Sequence, residues 1–332
     1  MHLIGPWTRD QTSASGQVFE FRLWAALTEQ SRGVLHVFLP LADRGIDALV
    51  HRLSDGMYFK VQAKSRSTLQ DGEVHLVVPA ESLSHDEVLF VAGLVVEGGL
   101  GPTILVASSA DFKRLADATS DAGKPVYSAE FGMRPRSDSR WLPWLIPVEQ
   151  LAKRFGAPAE RVEEAPVELR REWRSDLGFL GESEVTRRLA EAPDLNLFRP
   201  FPDLETAELA VMHLDSRRVI GLQVKTVDVD ESRLRATVNV LASSFRPAPT
   251  THVVVLAWRR DESRFYEDCL LIPAVDLLEI AHDDRNGHLS FNWHLRAGTP
   301  SLLDGYRHGL KDLQARVTRL VSVSHSRRLK PT

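Results

Sequence analysis

The sequence has a single cysteine, Cys269, in the apolar run DCLLIP. One thiol excludes an internal disulfide framework and fits a reducing compartment, where a buried structural side chain is expected. Long apolar runs are also missing. The stretch VLFVAGLVV, residues 88–96, falls well short of the roughly 20 residues that a spanning helix requires. The N-terminal MHLIGPWTRDQTSASG lacks the charged-then-apolar pattern of an export signal, so a soluble, cytoplasmic protein without a membrane partner is expected. Net charge is only -4, with no global basic field, and any nucleic-acid surface must be local. No G-x-x-x-x-G-K-[ST], H-E-x-x-H, Cys/His cluster or G-x-S-x-G occurs. An intrinsic P-loop motor, zinc catalysis and a hydrolase triad are therefore without support.

The chain itself is 332 residues long and 43% hydrophobic, which favours two domains of about 150 residues each. Sliding the sequence against itself by 161 to 165 residues superposes segment after segment in one order. GQVFE (16–20) meets GFLGE (178–182), placing Glu20 on Glu182. DALVHRLSDGMYFKVQAK (47–64) meets ELAVMHLDSRRVIGLQVK (208–225) without a gap, so Asp47, Gln62 and Lys64 fall on Glu208, Gln223 and Lys225. Later, TILVASSADFKRLA resembles CLLIPAVDLLEIA, and VEQLAKRF (148–155) falls on LKDLQARV (310–317). Pro and alternating charges interrupt the apolar pattern in GAPAERVEEAPVELRREW, giving domains at 1–155 and 175–332 with a linker at 156–174.

Each copy reads as a helix, three strands, a helix and further strands. Ser15 is placed to cap a helix running to about Gln30, with Phe19, Leu23, Ala26 and Leu27 as its apolar stripe. Asp55-Gly56 signals a tight hairpin. With those two residues as the loop, Asp47 lies opposite Lys64 and Leu49 opposite Gln62. Phe59, Val61 and Ala63 then face a core, while Lys60, Gln62 and Lys64 share the other face. A Ser216-Arg217 loop gives the same count in the second copy, with Glu208 opposite Lys225.

A cross-strand ion pair on a solvated face would require no chemistry and contribute about 0.2–1 kcal/mol. Three features argue for more. Lysine is rare, 8 residues beside 33 arginines; the glutamine recurs beside it; and Glu182 shares a helical face with Val185 and Leu189, which turns its carboxylate inward. An inward carboxylate needs a partner. A hard divalent cation held by oxygen ligands is such a partner.

At these residues the sequence resembles the PD-(D/E)xK nuclease superfamily. GIDALV…FKVQAKS, preceded by the GQVFE helix, looks most like its Mrr-type restriction branch, where glutamine stands at the usual acidic position. The resemblance covers about residues 15–110 and 177–276. It implies an α/β fold of two tandem restriction-endonuclease-like domains, each a mixed central sheet flanked by helices. It also implies Mg²⁺- or Mn²⁺-dependent cleavage of DNA, in a bacterial restriction or anti-phage role. Asp47 would bind the metal with Glu20 and Gln62, and Lys64 would orient water and stabilise charge on phosphate. Glu208, Glu182, Gln223 and Lys225 form the second set, where Glu208 replaces the aspartate and TA replaces GI. That copy is active or degenerate; Asp203 or Glu205 is an alternative acid for it. Arg66, just after the Q-x-K strand, is the expected phosphate contact, and a protein partner could supply target recognition. The rival reading is an inactive nuclease-fold protein that binds nucleic acid or supports an assembly.

Arginine and tryptophan also meet in MRPRSDSRWLPW (133–144) and RREWR (170–174), and HSRRLK (325–330) adds a basic end. Phosphate contact and base stacking is one reading. The other has Trp141 and Trp144 closing a core beneath a solvated arginine loop.

Overall fold

Strands that are apolar at every position, rather than at alternate ones, are covered on both faces, and they commonly pair in parallel. Each of the two units has one strand that is apolar along most of its length. LFVAGLVV pairs parallel with the strand carrying Gln62 and Lys64, and THVVVLAWR pairs parallel with the strand carrying Gln223 and Lys225. The computed structural model describes residues 9–42, 44–97, 99–157, 175–201, 207–243, 245–284, 286–296 and 301–322. It is a mixed α/β structure that divides into two compact units, Met1–Glu163 and Glu164–Thr332.

Unit 1 begins with α1 (Arg9–Ser31), followed by β1 (Leu35–Pro40), β2 (Ala48–Arg52), β3 (Met57–Arg66), β4 (Glu73–Pro79), β5 (Leu89–Val96), β6 (Gly99–Leu100) and β7 (Thr103–Ser108). Then come α2 (Ser109–Leu115), β8 (Asp117–Asp121), β9 (Lys124–Gly132), β10 (Leu145–Pro147) and α3 (Leu151–Arg154). The main sheet runs β10-β7-β5-β3-β2-β1, and β4-β9-β8 form a second sheet. Phe19, Leu23, Trp24 and Leu27 of α1 are buried, each contributing about 1.5–3 kcal/mol. The helix starts before Ser15, so that serine is interior and not its cap. Arg22 fastens α1 to the β5–β6 hairpin, donating from Nη1 to Val96 O (2.6 Å) and Gly99 O (2.7 Å).

Unit 2 repeats the order without a counterpart of β6 among the described residues. It has α4 (Ser175–Ala190), β11 (Leu195–Phe201), β12 (Leu209–His213), β13 (Val219–Asp230), β14 (Arg235–Leu241), β15 (Thr251–Arg259) and β16 (Arg264–Pro273). After these follow α5 (Ala274–Ile280), β17 (His282–Asp283), β18 (His288–His294), β19 (Arg307–Gly309) and α6 (Leu313–Ser322). Its main strands pair in the order β19-β16-β15-β13-β12-β11, and β14-β18-β17 match β4-β9-β8. The core lies on both faces of β15. Val254 and Leu256 join Val185, Leu189 and Val317 on one side; Val253, Val255 and Ala257 join Leu277, Phe291 and Trp293 on the other. Among the described residues no helix is long and apolar enough to cross a membrane.

The hairpin register differs from the expected one. Arg52 pairs with Met57 and Ala48 with Val61, so the loop is Leu53–Gly56 and Asp47 lies opposite Gln62, not Lys64; Leu49 faces Lys60, not Gln62. The Arg52 guanidinium grips the Asp55 carboxylate (Nε–Oδ1 3.0 Å, Nη2–Oδ2 2.5 Å), Gly56 N donates to Arg52 O at 2.9 Å, and Gly56 takes φ +70°. These bonds favour the four-residue turn. In unit 2, Met212 pairs with Val219 and Arg217 takes φ +55°, which moves Glu208 opposite Gln223 in place of Lys225. Both shifts are by two residues, and since side chains alternate with a period of two, every residue keeps its expected face. Most of the expected linker, with RREWR, the HSRRLK end, Asp203 and Glu205, lies outside the described residues.

Candidate active site

The site forms where two paired strands part. The β2–β3 ladder ends at Ala48–Val61. One residue earlier the Asp47 amide still donates to Val61 O at 2.9 Å. The next free edge amide of β3, Ala63 N, is taken by the side chain, donating to Asp47 Oδ2 at 2.7 Å. Unit 2 does the same. The β12–β13 ladder ends at Leu209–Leu222, Glu208 N donates to Leu222 O at 3.0 Å, and Val224 N donates to Glu208 Oε2 at 2.8 Å. In each unit a carboxylate stands in for the missing strand, and the amide it holds belongs to the residue between Gln and Lys. An unsatisfied edge amide is costly, which explains why an acceptor side chain belongs there.

The polar face is not the solvated surface that a simple ion pair would occupy. Gln62 and Gln223 are 4% and 3% exposed. Gln62 Oε1 is buried with no hydrogen-bond partner. Lys64 and Lys225 are half-buried, and Lys225 Nζ lies 3.5 Å from Glu208 Oε1. Burial pushes the Glu208 carboxyl above the ordinary carboxylate range, against the opposing pull of the Lys225 ammonium and the Val224 amide. Its surroundings therefore penalise the charge by more than the ammonium and the amide offset.

A cleft of about 1080 Å³ opens at this point in unit 2 and gathers Glu182, Glu208 and Lys225. Glu182 reaches it because α4 lies close on β13. A Cβ at Gly181 would run into the Thr226 hydroxyl and stand 3.1 Å from Thr226 Cβ. In unit 1 a different strand makes the close approach: α1 carries Phe19, next to half-buried Glu20, and β5 carries Gly93, whose Cβ would meet Phe19 Cε2 at 3.1 Å and Ile104 Cδ1 at 2.7 Å.

No family model and no curated protein matches the chain. Among solved structures, a bacterial homing endonuclease, I-Ssp6803I, is similar to it at 16% identity and a TM-score of 0.30, over 45% of this chain and 94% of its own.

Arg66, the expected phosphate contact, spends two of its donors on the protein's own carbonyls. Its Nε donates to His75 O (2.8 Å) and its Nη1 to Ser65 O (3.3 Å), and burial lowers the guanidinium pKa. Trp141 is 1% exposed and packs at 5.3 Å on Phe112, with exposed Arg140 over its ring at 5.8 Å, so the core reading of that tryptophan holds. Cys269 is fully buried, and burial pushes its thiol up to about 12.

The sequence pattern did not single out the remaining cleft residues, among them Trp258, Arg260, Arg235, Thr237 and Asn239. The alternation in RATVNVL signals an outward polar row on β14 but not that the row borders the site. Glu73, His75 and Glu130 also meet, on β4 and β9 of unit 1, with oxygen and nitrogen atoms within 4.8 Å. His75 there is engaged by Glu130 Oε1 (2.9 Å) and Gln70 O (3.2 Å).

Proposed function

We propose that the protein is a metal-dependent nuclease, built from two tandem restriction-endonuclease-like domains, that cleaves phosphodiester bonds of DNA. The carrying observation is the repeated arrangement at the strand divergence. Asp47 and Glu208 each bind the amide inside Q-x-K, a buried glutamine lies opposite, and a lysine follows on the same face. An ordinary surface ion pair has no use for a buried glutamine, whose unpartnered Oε1 in unit 1 instead suits an oxygen-seeking ligand.

The donor set fits Mg²⁺ or Mn²⁺, since it is made of oxygen atoms: Asp47, Gln62 and Glu20 in unit 1, Glu208 and Glu182 in unit 2. Such an ion supplies a lowered pKa for water and neutralises charge on a phosphate. The chain's own residues do the rest. Asp47 and Glu208 are oriented by their amide bonds. Lys64 and Lys225 carry positive charge toward a phosphate oxygen and hold the attacking water, and the cleft of unit 2 gives a phosphodiester room beside Lys225.

The experiment is calorimetric titration with Mn²⁺, together with nicking of supercoiled DNA, on the wild type, Asp47→Ala, Glu208→Gln and the double variant. Each single change should remove one binding event and the double change both, with cleavage lost in parallel. Undiminished Mn²⁺ binding by the double variant, or a wild type that cuts neither DNA nor RNA with either metal, overturns the reading.

A further inference from the structure

In unit 2 the ribbon beside the cleft presents a face built of hydrogen-bond donors. Pairing sets Arg235 beside His294, Thr237 beside Asn292, Asn239 beside Ser290 and Leu241 beside His288, while β17 adds His282 next to Ser290. The alternate residues Ala236, Val238, Val240, Phe291 and Trp293 are buried, which turns Arg235, Thr237, Asn239, Asn292 and His294 outward, with Ser290 covered and the apolar Leu241 exposed at the end of the row. None of the positions on β14 and β18 named above is a carboxylate. Acids surround them: Asp283, exposed on β17; Asp284, 3.4 Å from His288; Asp230 beside Arg235; and Asp228, which also lines the cleft.

Two hydroxyls orient the amides. Thr237 Oγ1 donates to Asn292 Oδ1 at 3.0 Å, and Ser290 Oγ donates to Asn239 Oδ1 at 2.8 Å. With those carbonyl oxygens occupied, each asparagine offers its NH₂ group outward. Arg235, Thr237 and Asn239 line the same cleft as Glu208 and Lys225. The corresponding ribbon of unit 1 has the opposite character: β4 and β9 pair Glu73 with Gly132 and His75 with Glu130, putting two carboxylates on its outward face. The first ribbon offers oriented donors to a polyanion, whereas the second offers two acids beside Arg134, Arg136 and Arg140.

We propose that the β14–β18 ribbon of unit 2, and not the β4–β9 ribbon of unit 1, is the surface that holds duplex DNA at the cleft. This rests on the nuclease reading for the chemistry, but on the ribbon alone for the contact. A sheet face of this kind can lie against a DNA groove, where oriented amide donors meet the acceptor atoms of base edges, and arginine meets phosphate.

The test is fluorescence anisotropy with labelled duplex and single-stranded DNA in EDTA, so that binding is read without cleavage. Asn239→Asp and Asn292→Asp are isosteric changes at exposed positions that leave the hydroxyl bonds in place. Together they should weaken duplex binding by about tenfold or more, since donors become repelling acceptors. Arg235→Gln should flatten the salt dependence by about one unit of slope. Glu73→Gln with Glu130→Gln should leave affinity unchanged. Wild-type affinity in the asparagine double variant, or tighter binding of single strands than of duplex, overturns the proposal. The nuclease reading fails separately: ribbon-dependent binding without Mn²⁺-supported cleavage removes the enzyme and keeps the surface, and cleavage by a ribbon variant at wild-type affinity does the reverse. A wild type with no affinity for DNA removes both.

Discussion

Replacing Glu208 by two different residues separates a structural role from a functional one. Its carboxylate does two jobs, accepting the Val224 amide at 2.8 Å and facing Lys225 at 3.5 Å. Glu208→Ala removes the acceptor and leaves a strand-edge amide unsatisfied, a loss of about 1–3 kcal/mol. For a domain of this size each kcal/mol lowers Tm by about 2–4 °C. Glu208→Gln keeps a carbonyl oxygen for that amide and removes a charge that burial disfavours, so its stability at neutral pH should equal or exceed that of the wild type. The pH dependence follows from the raised folded-state pKa. Because the native protein prefers the protonated acid, that contribution is fully present below the unfolded pKa and is lost as pH rises through the folded one. Glu208→Gln should therefore gain on the wild type as pH rises, and Mn²⁺ should reverse the gain by stabilising only the wild type. Urea denaturation across pH, with and without Mn²⁺, measures all of this. Glutamine destabilising as much as alanine would show that the charge serves the fold, and the reasoning would fail.

Three further outcomes are expected. Gly181→Ala should weaken Mn²⁺ binding in unit 2 by lifting α4, and with it Glu182, off Thr226; Thr226→Ala in the same chain should restore part of it, read by calorimetry. Gln62→Met should leave metal-free stability unchanged or raise it, because the buried Oε1 has no partner to lose, while Mn²⁺ binding at that unit falls. A loss of more than about 2 kcal/mol in urea would contradict this. Cys269, fully buried with its thiol pushed up to about 12, should react with a thiol reagent only after unfolding, and prompt labelling of the native protein would refute its placement.

The shared topology of the two units was legible because it is written in local pattern. An acid, a glutamine and a lysine recur at the same spacing, strands that are apolar along most of their length announce burial on both faces, and both turns keep each side chain on its expected face. The turn itself was not legible. Asp-Gly is a strong local signal, yet the Arg52–Asp55 grip and the Leu53–Gly56 loop set a register two residues away, and only that register brings Asp47 opposite Gln62.

What the sequence by itself determined, then, is which residues recur and which face of a strand each occupies, because alternation along a strand is a property of the chain. The tertiary structure alone decided that the two acids replace a missing strand, that the open cleft in unit 2 is bordered by an arginine- and asparagine-bearing ribbon, and that Arg66 turns to the protein's own carbonyls. Those outcomes depend on where paired strands part and how closely a helix can approach them, and such distances arise between segments that no local pattern relates.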